Sequence, residues 1–176
     1  LTELEIERLR KQAKSGPGRY GHRDSTMILL AFRHALRVTE LVNLKWTDVD
    51  FTTGRLNVRR LKGSISGEHP IRGDELRALR ELRRQYPESP YLFATERKGP
   101  MTAAGFRKLL SRLAVRAGMA DLKVHPHALR HSTGHALVNK GTDTRTLQGY
   151  MGHAQIANTV KYTHLDARRY DGIWDK

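Results

Sequence analysis

Cysteine is missing from all 176 residues. Its absence excludes disulfides, thiolate metal sites and cysteine nucleophiles, and it suits a reducing compartment. No run of ~18 apolar residues occurs, so no membrane-spanning helix is expected, and no secretory signal is recognisable. The first residue is Leu1 rather than Met, which leaves room for an upstream segment. Aromatic residues are scarce at 7%, which argues against a single-strand binder that stacks bases on its surface. Internal repeats, low-complexity tracts and long linkers are also lacking, so residues 1–176 read as one domain. Acidic residues are few, with 18 Asp and Glu against 32 Lys and Arg and a net charge of +14. Such a charge repels itself in a compact chain unless a polyanion or counterions screen it. Nucleic acid is the polyanion that a basic domain of this kind most often meets. On charge alone, a basic surface serving only solubility is the competing explanation.

What is present points to a mostly helical chain with one small antiparallel sheet, an α+β fold. Thr2 and Glu5 form a capping-box pattern, so a helix is expected from the start to about residue 14. Apolar positions at helical spacing predict a helix over residues 23–36 and a short one over 39–44. Residues 55–59 alternate polar and apolar, as a strand does. A turn over 62–67 leads to a partner strand over 68–72. Helices are expected over 74–86 and 102–117, the second closed by Gly118, with a short strand at 91–93 between them. Pro126 suits the first turn of a helix, where its missing N–H costs nothing; that helix should run to about residue 141. Two short helices follow, over 144–150 and 156–162.

The residues able to do chemistry gather near the C-terminus. His127 and Arg130 stand three apart on one helix and so face the same way. Arginine offers a rigid donor fork for phosphate oxygens and keeps its charge; histidine moves a proton near neutral pH. His127, His131 and His135 repeat at helical spacing, which invites a metal reading. The stripe lacks the glutamate of H-E-x-x-H, and Arg130 beside it would repel a dication, so no metal is expected. His131 then reads as a packed helper bonded to backbone. Gly152 permits a tight turn from which His153 can project. Tyr162 is a phenol with an ordinary pKa of about 10, so as a nucleophile it needs cations and hydrogen-bond donors around it. Upstream, Arg37 lies at a helix boundary with Glu40 three residues on, and Lys62 sits on the hairpin turn.

The order and spacing of these groups carry a resemblance. Arg37 in A-L-R-x-x-E-L, Lys62 on a hairpin, His127 and Arg130 in H-x-L-R-H, His153 after a glycine, and then Tyr162 resemble the catalytic domain of the tyrosine recombinases, the lambda-type integrases. Arg60, Lys62 and Gly63, the His69–Pro70 pair, the run at 125–132, the stretch at 159–163 and the ending at 170–175 are more similar still to the fimbrial phase-variation recombinases.

That resemblance implies the family's fold and its chemistry. Tyr162 would attack a phosphate of duplex DNA and form a 3′-phosphotyrosyl link, with Lys62 protonating the departing 5′-hydroxyl. Arg37 and Arg130 would neutralise the phosphate oxygens, His127 would assist proton transfer, His153 would donate to a non-bridging oxygen, and Glu40 would orient the Arg37 region. No cofactor is implied. The expected partners are double-stranded DNA, a homotetramer assembled on it, and accessory DNA-bending proteins, in the cytoplasm of a bacterium. Arg59, Arg60, Lys98, Arg107, Lys108, Arg112 and Arg145 are candidates for backbone phosphates. The tail, residues 163–176 with Ile173 and Trp174, would pack on its own domain or dock on a neighbour. A DNA-binding module without cleavage and an enzyme of the type IB topoisomerase kind stay open as alternatives, as does integration against inversion.

Overall fold

A computed structural model of the chain describes residues 1–16, 18–60 and 63–163. Helix α1 (Glu3–Lys14) opens on the expected capping box: the Thr2 hydroxyl accepts from the Glu5 amide, and the Glu5 carboxylate accepts from the Thr2 amide. Two donors that a first turn leaves free are thereby satisfied. Ile6, Leu9 and Ala13 form its buried face and pack on α2 (Gly21–Arg33). Helix α2 is the central one, buried continuously from Ser25 to Ala31.

Helix α2 ends earlier than its apolar spacing suggests. The expected continuation to residue 36 stops at Arg33, and Ala35 takes a φ of 49°. The left-handed region costs a residue with a Cβ roughly 1–2 kcal/mol, so something must hold Ala35 there. Its carbonyl is the target of two arginine side chains described below. The turn feeds Arg37 into α3 (Val38–Val42).

The sheet has three antiparallel strands in the order β1 (Val49–Asp50), β2 (Arg55–Val58), β3 (Gly67–Pro70). Leu56 pairs with Val49 on one side and with His69 on the other, and all three are buried. Strand β1 is too short to show a period in the sequence. The strand expected at 91–93 makes no ladder. Tyr91 forms a single bridge with Lys45, the Leu92 amide donates to the Leu44 carbonyl, and Phe93 accepts from Met101. Successive residues bond to different loops, so this apolar stretch is buried without strand pairing.

Helices α4 (Gly73–Gln85), α5 (Ala103–Arg116) and α6 (Pro126–Asn139) follow. Gly118 ends the α5 region at φ 66°, and Pro126 takes the first position of α6. Helix α7 (Thr144–Met151) is capped by the Asp143 carboxylate, which accepts from the Arg145 and Thr146 amides. Helix α8 (Ala157–Val160) is a single turn, shorter than the 156–162 expected. One continuous core joins α1 to α6 and the sheet. A separate small cluster, Ala35, Val138, Leu147, Met151 and Tyr162, lies beneath α6 to α8. Among the described residues no helix is long and apolar enough to cross a membrane.

Candidate active site

Three guanidinium groups meet under the strained turn at Ala35. Glu40 receives both the Arg37 amide and the Arg37 Nη1 at 2.8 Å. Its other contact is Arg60 Nη1 at 2.6 Å. Arg60 also donates to the carbonyls of Ala35 (3.1 Å), His34 (3.3 Å) and Tyr150 (2.9 Å). Arg130 donates to the same Ala35 carbonyl and to the Met151 carbonyl at 2.6 Å. Burial works to raise the Glu40 pKa, but the Arg60 charge and the hydrogen bonds from Arg37 and Arg60 outweigh it and hold the carboxyl below its usual range. Burial, with the charges of Arg60 and Arg37, pushes Arg130 down to about 10. That is still far above neutrality, so the cation persists.

These charges open onto a cleft of about 530 Å³ lined by Arg37, Arg107, His125, His127 and Arg130, with Thr39 at its edge. The His125 imidazole caps α6, its Nδ1 accepting from the Ala128 amide at 3.2 Å. Among the described residues no carboxylate lines this cleft. A site built of fixed donors and permanent positive charge suits a phosphate and repels a metal dication. Among the described residues no cluster of three His, Asp or Glu side chains is arranged to hold a metal ion.

The phenol lies next to this cleft. The Tyr162 ring rests on Gly134 of α6, where a Cβ would come within 2.7 Å of it. Its hydroxyl is 2.7 Å from His131 Nδ1. His135 meets the ring edge-on at 5.3 Å, and the His153 ring lies parallel to it at 6.3 Å. The Lys161 ammonium sits 5.2 Å from the ring centre. Burial raises the Tyr162 pKa above its ordinary value, and Arg130 opposes that rise. Burial, together with His127 and Lys161, lowers His131 to about 4. His131 is therefore neutral at pH 7 and able to accept the phenolic hydrogen. Gly152 takes φ 66° and presents His153, whose Nδ1 lies 2.8 Å from the Thr159 hydroxyl. Burial and Arg130 lower His153 to about 4 as well.

The residues singled out in the sequence fall in three groups. Arg37, His127 and Arg130 share the cleft, and His153 and Tyr162 share the adjoining ring cluster. His131 differs from its expected role: its imidazole engages the phenol rather than the backbone, with His127 edge-on to it at 4.2 Å. Lys62 and the tail segment 164–176 lie outside the described residues. Of the seven arginines and lysines expected on backbone phosphates, Arg107 lines the cleft. Arg60 is a correction. It is buried, with both terminal nitrogens committed to protein acceptors, and has no face for DNA. Arg59 pairs with Asp48, Lys98 with Glu88, and Arg145 with Gln148. Arg112 borders a different cleft with Asp24 and Glu96, while Lys108 is exposed on α5. The roles of Gly134 and Arg60 went unread because each depends on a partner distant in the chain.

Paired guanidiniums, neutral imidazoles and one phenol in a basic helical domain make a site whose chemistry suits a phosphate. The Phage integrase family model matches residues 1–169, and the chain belongs to that family; it is a tyrosine recombinase, an enzyme of site-specific DNA recombination. It is 39% identical to the type 1 fimbriae regulatory protein FimB of Escherichia coli K12, over all of this chain and 89% of that protein. The fold is similar to the crystal structure of XerA recombinase, with a TM-score of 0.81 and 29% identity over 99% of this chain and 63% of that one. It is also similar to XerH site-specific recombinase bound to its difH substrate before cleavage, with a TM-score of 0.82 and 25% identity over all of this chain and 54% of that one. The chain thus spans most of the fimbrial regulator but only about half to two-thirds of the Xer enzymes.

Proposed function

We propose that residues 1–176 form one catalytic domain that inverts a DNA segment by cutting and rejoining duplex DNA through Tyr162. The observation that carries this reading is the Tyr162 hydroxyl, 2.7 Å from a neutral imidazole and beside a cleft lined by Arg37 and Arg130. The phenolic oxygen forms a bond to phosphorus while the bond from phosphorus to the 5′ oxygen breaks. The phenolic proton passes to the imidazole it already meets, His131 Nδ1, with His127 edge-on behind it. Lys62 supplies a proton to the departing 5′ oxygen. Arg37 and Arg130 stabilise the charge that builds on the equatorial oxygens, an effect worth about 3–4 kcal/mol per fixed donor, and His153 donates to a non-bridging oxygen. Attack by the 5′-hydroxyl of a partner strand reverses the step, so the phosphotyrosyl bond conserves the energy for rejoining.

The partner is double-stranded DNA, gripped by a homotetramer with help from DNA-bending proteins, and Arg107 extends the cationic cleft toward a neighbouring phosphate. Similarity over the full chain to the fimbrial regulator supports inversion over integration. The test is incubation of the full chain with a nicked duplex of its native flanking DNA. Wild type should leave a covalent adduct that survives denaturing electrophoresis, and Tyr162→Phe should leave none. Equal trapping of DNA by the two proteins would remove Tyr162 from the reaction.

A further inference from the structure

Arg60 follows the end of β2, two residues before Lys62, and is only 8% exposed. Burying a guanidinium is costly unless it is paired, and both terminal nitrogens of this one are. Its acceptors are the Glu40 carboxylate and three main-chain carbonyls from two separate parts of the chain: His34 and Ala35 after α2, and Tyr150 within α7.

We propose that Arg60 is a positioning residue that sets the spacing of Arg37 and Arg130 on a single phosphate. The inference rests on the reading of those two arginines as phosphate ligands. Each of them is one acceptor away from Arg60. Glu40 joins Arg60 to Arg37, one oxygen to each guanidinium. The Ala35 carbonyl joins Arg60 to Arg130, accepting from both. Tyr150, which accepts from Arg60, immediately precedes Met151, which accepts from Arg130. Two further contacts fix that end of α7. The Tyr150 hydroxyl donates to the Arg33 carbonyl at 2.7 Å, and its ring stacks on His69 at 4.0 Å.

The left-handed Ala35 fits the same account. A strained residue persists only where its surroundings over-determine it, and two charged donors on one carbonyl do that. Gly152 adds the roof. A Cβ there would lie 2.8 Å from Arg60 Nε and 2.7 Å from the Ile65 carbonyl, so the turn that presents His153 lies directly on the Arg60 side chain. A lysine has the charge, but its three donors radiate from one nitrogen, and it cannot serve the four acceptors that Arg60 divides between Nη1 and Nη2.

The variants Arg60→Lys and Arg60→Met test this in the full chain, with Arg130→Ala as reference. Each is assayed for DNA affinity and for adduct formation on the nicked duplex. The adduct assay is run twice, once with the natural scissile phosphate and once with an uncharged methylphosphonate in its place. A neutral centre has little need of paired guanidiniums, so a defect in placing them shrinks on it, whereas a general loss of fold does not. Affinity should stay within about threefold of wild type, because Arg60 has no surface to offer DNA. Adduct formation on the natural phosphate should fall roughly 10²–10³-fold, the loss typical of one misplaced oxyanion donor. On the methylphosphonate the deficit should shrink to under about tenfold, in parallel with Arg130→Ala. Arg60→Lys keeps the stem and the charge, and it serves as the assay variant where Arg60→Met does not fold. An unimpaired Arg60→Lys, or a deficit equal on both substrates while Arg130→Ala is relieved, overturns the proposal alone. Failure of the methylphosphonate to relieve Arg130→Ala overturns the underlying assignment of Arg130, and the proposal with it.

Discussion

In the arginine wall of the site, Arg130 and Arg60 are tied to buried main-chain carbonyls, whereas the tyrosine wall is held by two side-chain hydrogen bonds and by ring packing. Arg130 is almost wholly buried and spans two carbonyls, and Arg60 spans four acceptors. Thr133 of α6 also donates to the Phe32 carbonyl, tying α6 to the end of α2 beneath them. Tyr162 follows a helix of one turn. Its neighbours Lys161, Val160 and Asn158 are exposed, and it belongs to a small apolar cluster separate from the main core. A single turn has almost no stability of its own. Arg130 and Arg60 are therefore built into the fold by several buried acceptors, whereas Tyr162 stands just after an element with little stability of its own.

Removing Arg130 should break this contrast most severely. Arg130→Ala leaves the Met151 carbonyl without its donor and the Ala35 carbonyl with only one. The expected cost is about 2–4 kcal/mol in denaturant unfolding, alongside a fall in adduct formation of roughly 10²–10³-fold. Unchanged stability would mean that the carbonyl clamp is not holding the wall.

Gly134→Ala attacks the other wall. The new methyl would meet the Tyr162 ring at 2.7 Å, and overpacking of this kind costs about 1–3 kcal/mol where the core cannot yield. Because the phenol is the looser partner, it should be displaced while α6 stays folded. Adduct formation should then fall with DNA affinity preserved. Gly149→Ala, where an added Cβ meets nothing within 4 Å, should leave both unchanged. Equal stability losses in Gly134→Ala and Arg130→Ala would abolish the distinction between the walls.

A probe that needs no substitution is pH. His69 is pushed down to about 3 by burial and by the charges of His34 and Arg60, and His131 and His153 to about 4. Their unfolded values are near 6.5. Between those limits the unfolded chain binds protons that the folded chain refuses, so stability falls as pH drops through that window and is flat above it. For His69, which is well buried, the slope approaches about 1.4 kcal/mol per pH unit. Thermal unfolding between pH 7 and pH 4 should show it, and His69→Gln should make the curve shallower, leaving the slope due to His131 and His153. A curve that stays level in wild type would mean that His69 is not held neutral.

Several elements were legible because their signals are local. Thr2 with Glu5, Pro126 at the start of α6, Gly118 after α5 and the alternation before Arg59 each act across a few residues, and each has its expected counterpart in the fold. The apolar stretch at 91–93 misled because a strand needs a partner, and its neighbours there are loops. Arg60 misled for a related reason. Its charge suggested a surface, but its acceptors stand 20, 25, 26 and 90 residues away in the chain.

The amino-acid order by itself determined the chemical repertoire: a basic, cysteine-free domain with arginines, imidazoles and a phenol in a spacing that resembles one family of enzymes. Only tertiary structure decided that His131 meets the phenol, that Gly134 makes room for its ring, and that Arg60 turns inward. Caps and periods depend on neighbours along the chain. Burial of a charge or the meeting of two rings depends on which distant carbonyls and helices the packed core brings together.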